Sequence, residues 1–360
     1  MLSYFETRTR VIALVAIGAS LATLGLRVGG ASGVAEFIAA AIGLAGLAAM
    51  VGEGTEQLAY RLGPKATGVL QSALGNLPEF FIGIFALRAG LLDVVRAALV
   101  GSILANTLLV LGLAFLLGGL RHGPQKFGTD QTKMISTLLL LAAAAIAIPT
   151  IATSTGGPAH GHETELSVIV SIVLLTVFAG SLPFAIGKGA SVAQVEEPGH
   201  DDAAWPLAVA AGVLLAAGIG AAFVSDWFVE ALKPAMNTLG MSEAFAGLVV
   251  VAIAGNAVEN VVGVQAMLAN KGDLAISVIL NSSLQVALAL VPVLVLTSLV
   301  LGGATLTLVV SPLLVAALAL TSILAALVVM DGESTWLEGL ALIGLYAILA
   351  ASVWWGQPIG

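Results

Sequence analysis

Apolar residues run along this chain in long uninterrupted stretches, separated by short clusters of charge, glycine and proline. Breaking the sequence at those clusters predicts eleven helices, near 11–28, 33–59, 66–90, 94–118, 131–150, 165–187, 205–225, 242–268, 274–299, 304–329 and 336–355. A helix needs about 20 apolar residues to cross a hydrocarbon core of about 30 Å, so the longer stretches must tilt or break. The stretches are continuously apolar and show no period of two, which excludes a membrane β-barrel. The pattern predicts an all-α polytopic membrane protein with about eleven transmembrane helices.

Composition sharpens this picture. Of 360 residues, 59% are hydrophobic and 9% charged, too few charges to cover a water-exposed surface. Mean hydropathy is +1.07. Thirteen basic against twenty-one acidic residues leave a net charge of −8, and no basic stripe is present, so nucleic acid is excluded as a partner. Cysteine is absent, which removes disulfides, iron–sulfur clusters and thiolate metal sites. The basic stretch Met1 to Arg10 is followed by no small-residue cleavage site, so the first helix is expected to be retained.

Loop charges set the expected orientation. With the N-terminus cytoplasmic, that side holds Arg8, Arg10, Arg61, Lys65, Arg121, Lys126, Lys133, Lys188 and Lys271. The opposite side holds Arg27, Arg88, Arg96 and Lys233, which favours N-in and, with eleven spans, C-out in the cell membrane. Residues 188–204, with Glu196, Glu197, Asp201 and Asp202, form an acidic cytoplasmic linker, read either as a solvated hinge or as a weak cation trap. The loop at 153–165 carries His160, His162 and Glu163, either solvated or able to hold a transition metal.

The sequence repeats itself at an offset of 180. Gly75-Asn76-Leu77-Pro78-Glu79 aligns with Gly255-Asn256-Ala257-Val258-Glu259, and without a gap Gly83 meets Gly263, Asp93 meets Asp273 and Ser102 meets Ser282. Chance matches among Ala, Gly and Leu are expected in this composition; matched Asn, Glu, Asp and Ser in phase are not. The expected organisation is an N-terminal helix (1–30), a five-helix repeat (31–187), the linker (188–204) and a second five-helix repeat (205–360). Five is odd, so helices 7–11 enter the membrane opposite to helices 2–6. Inverted repeats meeting near the midplane are a recurring plan of secondary transporters.

A carboxylate at the centre of a membrane helix costs about 2.5–3.5 kcal/mol on insertion scales, so a duplicated one calls for a role. Protonated polar glue between helices is the plain alternative, but it leaves the duplication unexplained. Glu79 and Glu259 each follow an Asn by three residues, placing Asn76 and Asn256 on nearly the same face. Asn carbonyls and carboxylates are hard oxygen ligands suited to Ca²⁺, Mg²⁺ or Mn²⁺. Gly75, Gly255 and Pro78 predict an interrupted helix with carbonyls freed toward a cation, tolerable in a membrane only beside a cavity. Gln71, Ser102, Asn106, Ser282, Ser283 and Gln285 are candidate supporting groups or interhelical packing groups. Glu53 and Glu56, with Gln57, form a second acidic step, and Asp226 and Glu230 follow helix 7 in a loosely corresponding place. These are either vestibule groups or interfacial charges.

These motifs resemble the calcium/proton exchangers of the calcium/cation antiporter superfamily. The resemblance rests on Gly-Asn-x-x-Glu in both halves, on the run from Gly101 to Gly112, and on Asn270 to Leu274 with Ser282 to Leu288. It covers roughly residues 50–120 and 225–300. Three positions depart from the family pattern: Asn260 where His often stands, Asn281 where glycine is usual, and Pro78, which is closer to the sodium/calcium branch.

The resemblance implies exchange of cytosolic Ca²⁺ for protons, with the paired glutamates at Glu79 and Glu259. On that reading two ionised carboxylates neutralise one divalent cation, and the empty pair of like charges takes up protons instead. Sodium-coupled calcium exchange, or Mn²⁺/proton or Na⁺/proton exchange, on the same fold is the alternative. An intramembrane enzyme is not expected, since neither a His-Glu-x-x-His motif nor a nucleophile elbow is present. No cofactor is expected beyond the transported ions; the lipid bilayer and a homo-oligomer are the partners considered.

Overall fold

The computed structural model describes residues 6–30, 33–62, 74–187 and 205–355, almost all of them helical. Gln71 and the acidic linker 188–204 lie outside the described residues. In chain order the helices are α1 (Thr7–Val28), α2 (Val34–Leu62), α3 (Leu77–Arg88), α4 (Leu92–His122), α5 (Thr129–Ala152) and α6 (Glu163–Gly187). After the linker come α7 (Leu207–Leu239), α8 (Glu243–Gly255), α9 (Ala257–Leu268), α10 (Gly272–Leu301), α11 (Pro312–Val328) and α12 (Trp336–Trp354). Among the described residues eight helices are long and apolar enough to cross a membrane, and nine if α8 and α9, bent by 62°, form one broken span. The chain is an all-α, multi-pass membrane protein.

The 180-residue offset reappears in the backbone. α3 spans 77–88 and α9 spans 257–268; α4 starts at Leu92 and α10 at Gly272. Each of the latter two helices contains a π-helical turn, at Ala105–Val110 in α4 and at Val286–Leu290 in α10.

The chain divides into two compact units. The first comprises Met1–Ala89, Leu182–Met241 and Ala254–Val258, and so holds α1, α2, α3 and α7. Small residues let its helices approach closely: a Cβ on Gly46 would lie 2.8 Å from the Ala16 backbone on α1. Phe37 on α2 stacks on Phe228 of α7 with ring centroids 4.9 Å apart. Arg27, at the end of α1, bridges the buried Glu36 at 3.6 Å and Glu230 on α7. The Trp205 N–H donates to Gln57 Oε1 at 3.0 Å, tying the chain before α7 to the end of α2.

Here the sequence expectation for the seventh helix needs correction. The apolar pattern predicts an end near 225, with Asp226 and Glu230 beyond it; α7 runs to Leu239 and carries both. Charged residues form helix well, so charge alone does not stop one. Gly240, in the left-handed region at φ 67°, does.

The second unit comprises Gly90–Ser181, Ser242–Ile253 and Glu259–Gly360. Its centre is the crossing of α4 with α8. A Cβ on Gly101 would sit 2.5 Å from the Leu248 backbone, and one on Gly247 would collide with the Val94 carbonyl. At one end of this unit, Gln125 Nε2 donates to Met267 O at 3.0 Å and to Asn270 Oδ1 at 2.8 Å. A two-residue antiparallel pairing of Gln125–Lys126 with Glu333–Ser334 joins the same end. Asp273 accepts from the Gly128 N–H, whereas Asp93, 180 positions earlier, pairs with Arg96 at 2.9 Å. The same residue type at matched places thus serves different local needs.

The tenth helix also needs correction. Expected over 304–329, it begins at Pro312. Gly302 and Gly303, at φ 73° and 114°, end α10, and Pro312 forces Ser311 into extended backbone (φ −61°, ψ 149°). Residues 304–311 form an extended strap instead. Buried backbone must find partners, and hydroxyls from three helices supply them. Ser298, Ser167 and Thr150 accept from the N–H groups of Leu306, Leu308 and Val310 at 3.0, 2.9 and 3.0 Å. Arg96 closes the strap by donating to the Thr307 carbonyl at 3.2 Å and hydroxyl at 2.9 Å.

Candidate functional site

The first Gly-Asn-x-x-Glu motif interrupts the helix, as its composition predicts. Gly75 and Asn76 form a turn, and α3 restarts at Leu77 with Pro78 in its first turn, where a missing N–H costs nothing. Glu79 falls in that same first turn, at the positive end of the helix, which favours a carboxylate there. Both Asn76 and Glu79 are buried, at 9% and 8% exposure.

The second motif meets the first within the same unit. Asn256 is buried and donates from Nδ2 to Glu79 Oε1 at 2.5 Å. Gly255 lies flat against the Glu79 side chain, since a Cβ there would stand 2.5 Å from Cγ and 2.9 Å from Oε1. A glycine is therefore needed at 255 to admit the carboxylate, a requirement separate from loosening the helix. Glu259 lies on α9, three residues beyond Asn256; its side chain falls outside the description.

In the second unit a polar cluster forms around the π-helical turn of α4. Asn106 is fully buried and donates from Nδ2 to Ser282 Oγ on α10 at 3.0 Å. Ser102, a turn earlier, is buried, and Ser283 donates back to Ile279 O at 3.2 Å. Gln285 is half-buried at the edge of the π-helical turn of α10. Such turns widen the backbone ladder and occur often at functional positions. Thr107, buried in the same turn of α4 and donating to Ile103 O at 2.6 Å, escaped sequence reasoning because a lone threonine in an apolar run carries no signal.

The outlying candidates separate. Glu53 is half-buried and Glu56 exposed on α2. Glu230 is engaged by Arg27. At the start of α6, Glu163 Oε1 accepts from the N–H of Gly161 in the preceding loop at 3.0 Å, and His162 lies 4.0 Å from Glu165. Among the described residues no three His, Asp or Glu side chains converge as a metal site.

The family model for the sodium/calcium exchanger protein matches this chain twice, over residues 32–187 and 209–355. The chain belongs to the sodium/calcium exchanger protein family. Within it, the chain is 36% identical over 337 residues to a Ca(2+)/H(+) antiporter of Synechocystis sp., covering 87% of this chain and 89% of that protein. It is 34% identical over 349 residues to the Ca(2+)/H(+) antiporter ChaA of Bacillus subtilis, covering 94% and 96%. The solved structure of native YfkE superposes with a TM-score of 0.82 at 29% identity, covering 95% of this chain and 99% of that one.

Proposed function

We propose that this member of the exchanger family is a secondary active antiporter, not an enzyme, that exchanges cytosolic Ca²⁺ for protons at a site built on Glu79 and Glu259. The observation that carries the reading is the meeting of the two motif copies at Glu79, with Asn256 on its carboxylate and Gly255 making room for it. The names of the Synechocystis and Bacillus relatives support calcium and protons as the exchanged ions. The double match of one family model supports duplicated halves at 31–187 and 205–360, the first preceded by the N-terminal helix 1–30 and the two joined by the linker 188–204.

Charge balance gives the mechanism. Two ionised glutamates neutralise one divalent cation, with Asn76 and Asn256 offering neutral oxygens and the carbonyls at Gly75 and Gly255 exposed by the broken helix. Once the cation leaves, two buried like charges repel and protons replace it. Both filled states are neutral enough to move between faces by alternating access, while the empty charged state is not. Exchange is then obligatory, with at least two protons for each divalent cation. Ser102, Asn106, Ser282, Ser283 and Gln285 support the site or the proton path, together with Gln71, Glu53 and Glu56. The N-terminus faces the cytoplasm in a cell membrane.

The test is Ca²⁺ uptake into vesicles under an imposed proton gradient, with Na⁺ and Mn²⁺ as competing couples. Glu79→Gln and Glu259→Gln each abolish uptake while the protein still folds and inserts. In detergent, Ca²⁺ affinity tightens from about pH 6 to pH 8.5 and Ca²⁺ addition releases protons, because the ligands must be ionised to hold metal. Flat affinity without proton release would overturn the competition mechanism, and full uptake by either mutant the site.

A further inference from the structure

Within the first unit, α3 and α7 enclose a groove of about 550 Å³. Phe81 and Phe85 of α3 form one wall. The other is the α7 face carrying Leu215, Ile219 and Phe223, which are 66, 58 and 60% exposed. The groove therefore opens outward, and around a membrane-spanning helix the surroundings are acyl chains. Its volume is in the range of sites for small organic ligands, about 300–1,000 Å³.

One lining residue is charged: Asp226. No charged residue occurs between Asp202 and Asp226, so this carboxylate is the first charge after the apolar part of α7, where the hydrocarbon gives way to headgroups. The groove follows α7 from Ala211 to Asp226, about 22 Å at 1.5 Å per residue, enough for a chain spanning the roughly 15 Å of one leaflet. Asp226 is half-buried, and among the described residues no ion pair or hydrogen bond engages it. Arg27, the cation one turn further along, is taken by Glu36 and Glu230. A half-buried carboxylate at the end of an apolar groove can hold a cationic group there through a charge-assisted hydrogen bond.

We propose that this groove binds a membrane phospholipid with a primary ammonium headgroup, one acyl chain lying between α3 and α7 and the ammonium on Asp226. A bare divalent cation fits poorly, since one carboxylate among apolar side chains offers too few oxygens. A second copy of the chain would have to bring a cation into an apolar slot. The ammonium amphiphile satisfies the groove and the carboxylate together.

The experiment is native mass spectrometry of the full chain released from vesicles of equal phosphatidylethanolamine and phosphatidylglycerol. The wild type retains phosphatidylethanolamine about tenfold over phosphatidylglycerol, the scale of one charge-assisted hydrogen bond. Asp226→Asn brings the two lipids to parity while a lipid stays bound. Gly218→Leu fills the groove from α7, and since a Cβ at 218 meets nothing within 4 Å the fold accepts it; bound lipid of either kind is lost. Equal retention of both lipids by the wild type, or an unchanged preference in Asp226→Asn, overturns the headgroup assignment. Lipid retained by folded Gly218→Leu, or a changed oligomeric state without lipid loss, overturns the groove as its site. Should Gly218→Leu not fold, the Asp226→Asn comparison decides alone.

Discussion

Adding one methyl group at Gly255 tests the carboxylate site without touching a charge or a hydrogen-bonding group. In Gly255→Ala the new Cβ would lie 2.5 Å from Glu79 Cγ, 2.9 Å from Oε1 and 3.2 Å from Cδ. Ordinary van der Waals contact begins near 3.4 Å, so Cγ and the carboxylate it carries must retreat by about 0.9 Å. Cγ is one bond from Cβ and cannot swing aside as a flexible tip would. Overpacking of this kind costs about 1–3 kcal/mol. If the strain falls on the cation-bound state, the apparent KM for Ca²⁺ rises by about 5- to 150-fold. Displacement also lengthens the Asn256 bond to Oε1, which acts in the same direction. The assay is Ca²⁺ uptake into proteoliposomes as a function of free Ca²⁺, with thermal unfolding in detergent measured on the same preparation. Gly212→Ala is the control, because a Cβ there meets nothing within 4 Å. Wild-type uptake by well-folded Gly255→Ala would refute the placement of Glu79 against Gly255.

Three further outcomes follow from other parts of the structure. Gly101→Ala puts a Cβ 2.5 Å from the Leu248 backbone, which cannot yield as a side-chain tip can, so folding should be lost by about 3 kcal/mol or more in unfolding assays; a normal midpoint would contradict the α4–α8 crossing. Asn106→Ala removes a buried donor from Ser282 and should lower stability by about 1 kcal/mol with a graded rise in KM for Ca²⁺; an unchanged KM would make Asn106 a packing residue only. A single cysteine placed between 188 and 204 should react with impermeant reagents from the cytoplasmic face alone, against no cysteine background, and external labelling would reverse the proposed orientation.

What the sequence determined by itself is what a membrane demands of every segment. Continuous apolar runs established a multi-pass helical membrane protein, because backbone groups in lipid must be satisfied within a helix. The duplicated Gly-Asn-x-x-Glu was equally legible, since a buried carboxylate is costly enough that a second copy at a fixed offset stands out. The break at Gly75–Pro78 could be read from backbone chemistry alone. Where the information is not local, tertiary structure decided. In the stretch 304–329 Pro312 marks where a helix can begin, but the course of the residues before it depends on hydroxyls from nearby Ser298 and from Ser167 and Thr150, 141 and 160 positions away, which replace helical partners for the strap. The charges of α7 look like the end of a helix until Arg27 is found on Glu230. The identity of Asn256 as the partner of Glu79, 177 positions away, follows from packing that no periodicity encodes. Local rules fix which residues can occupy a membrane, and only the approach of distant segments fixes which polar group each buried one will meet.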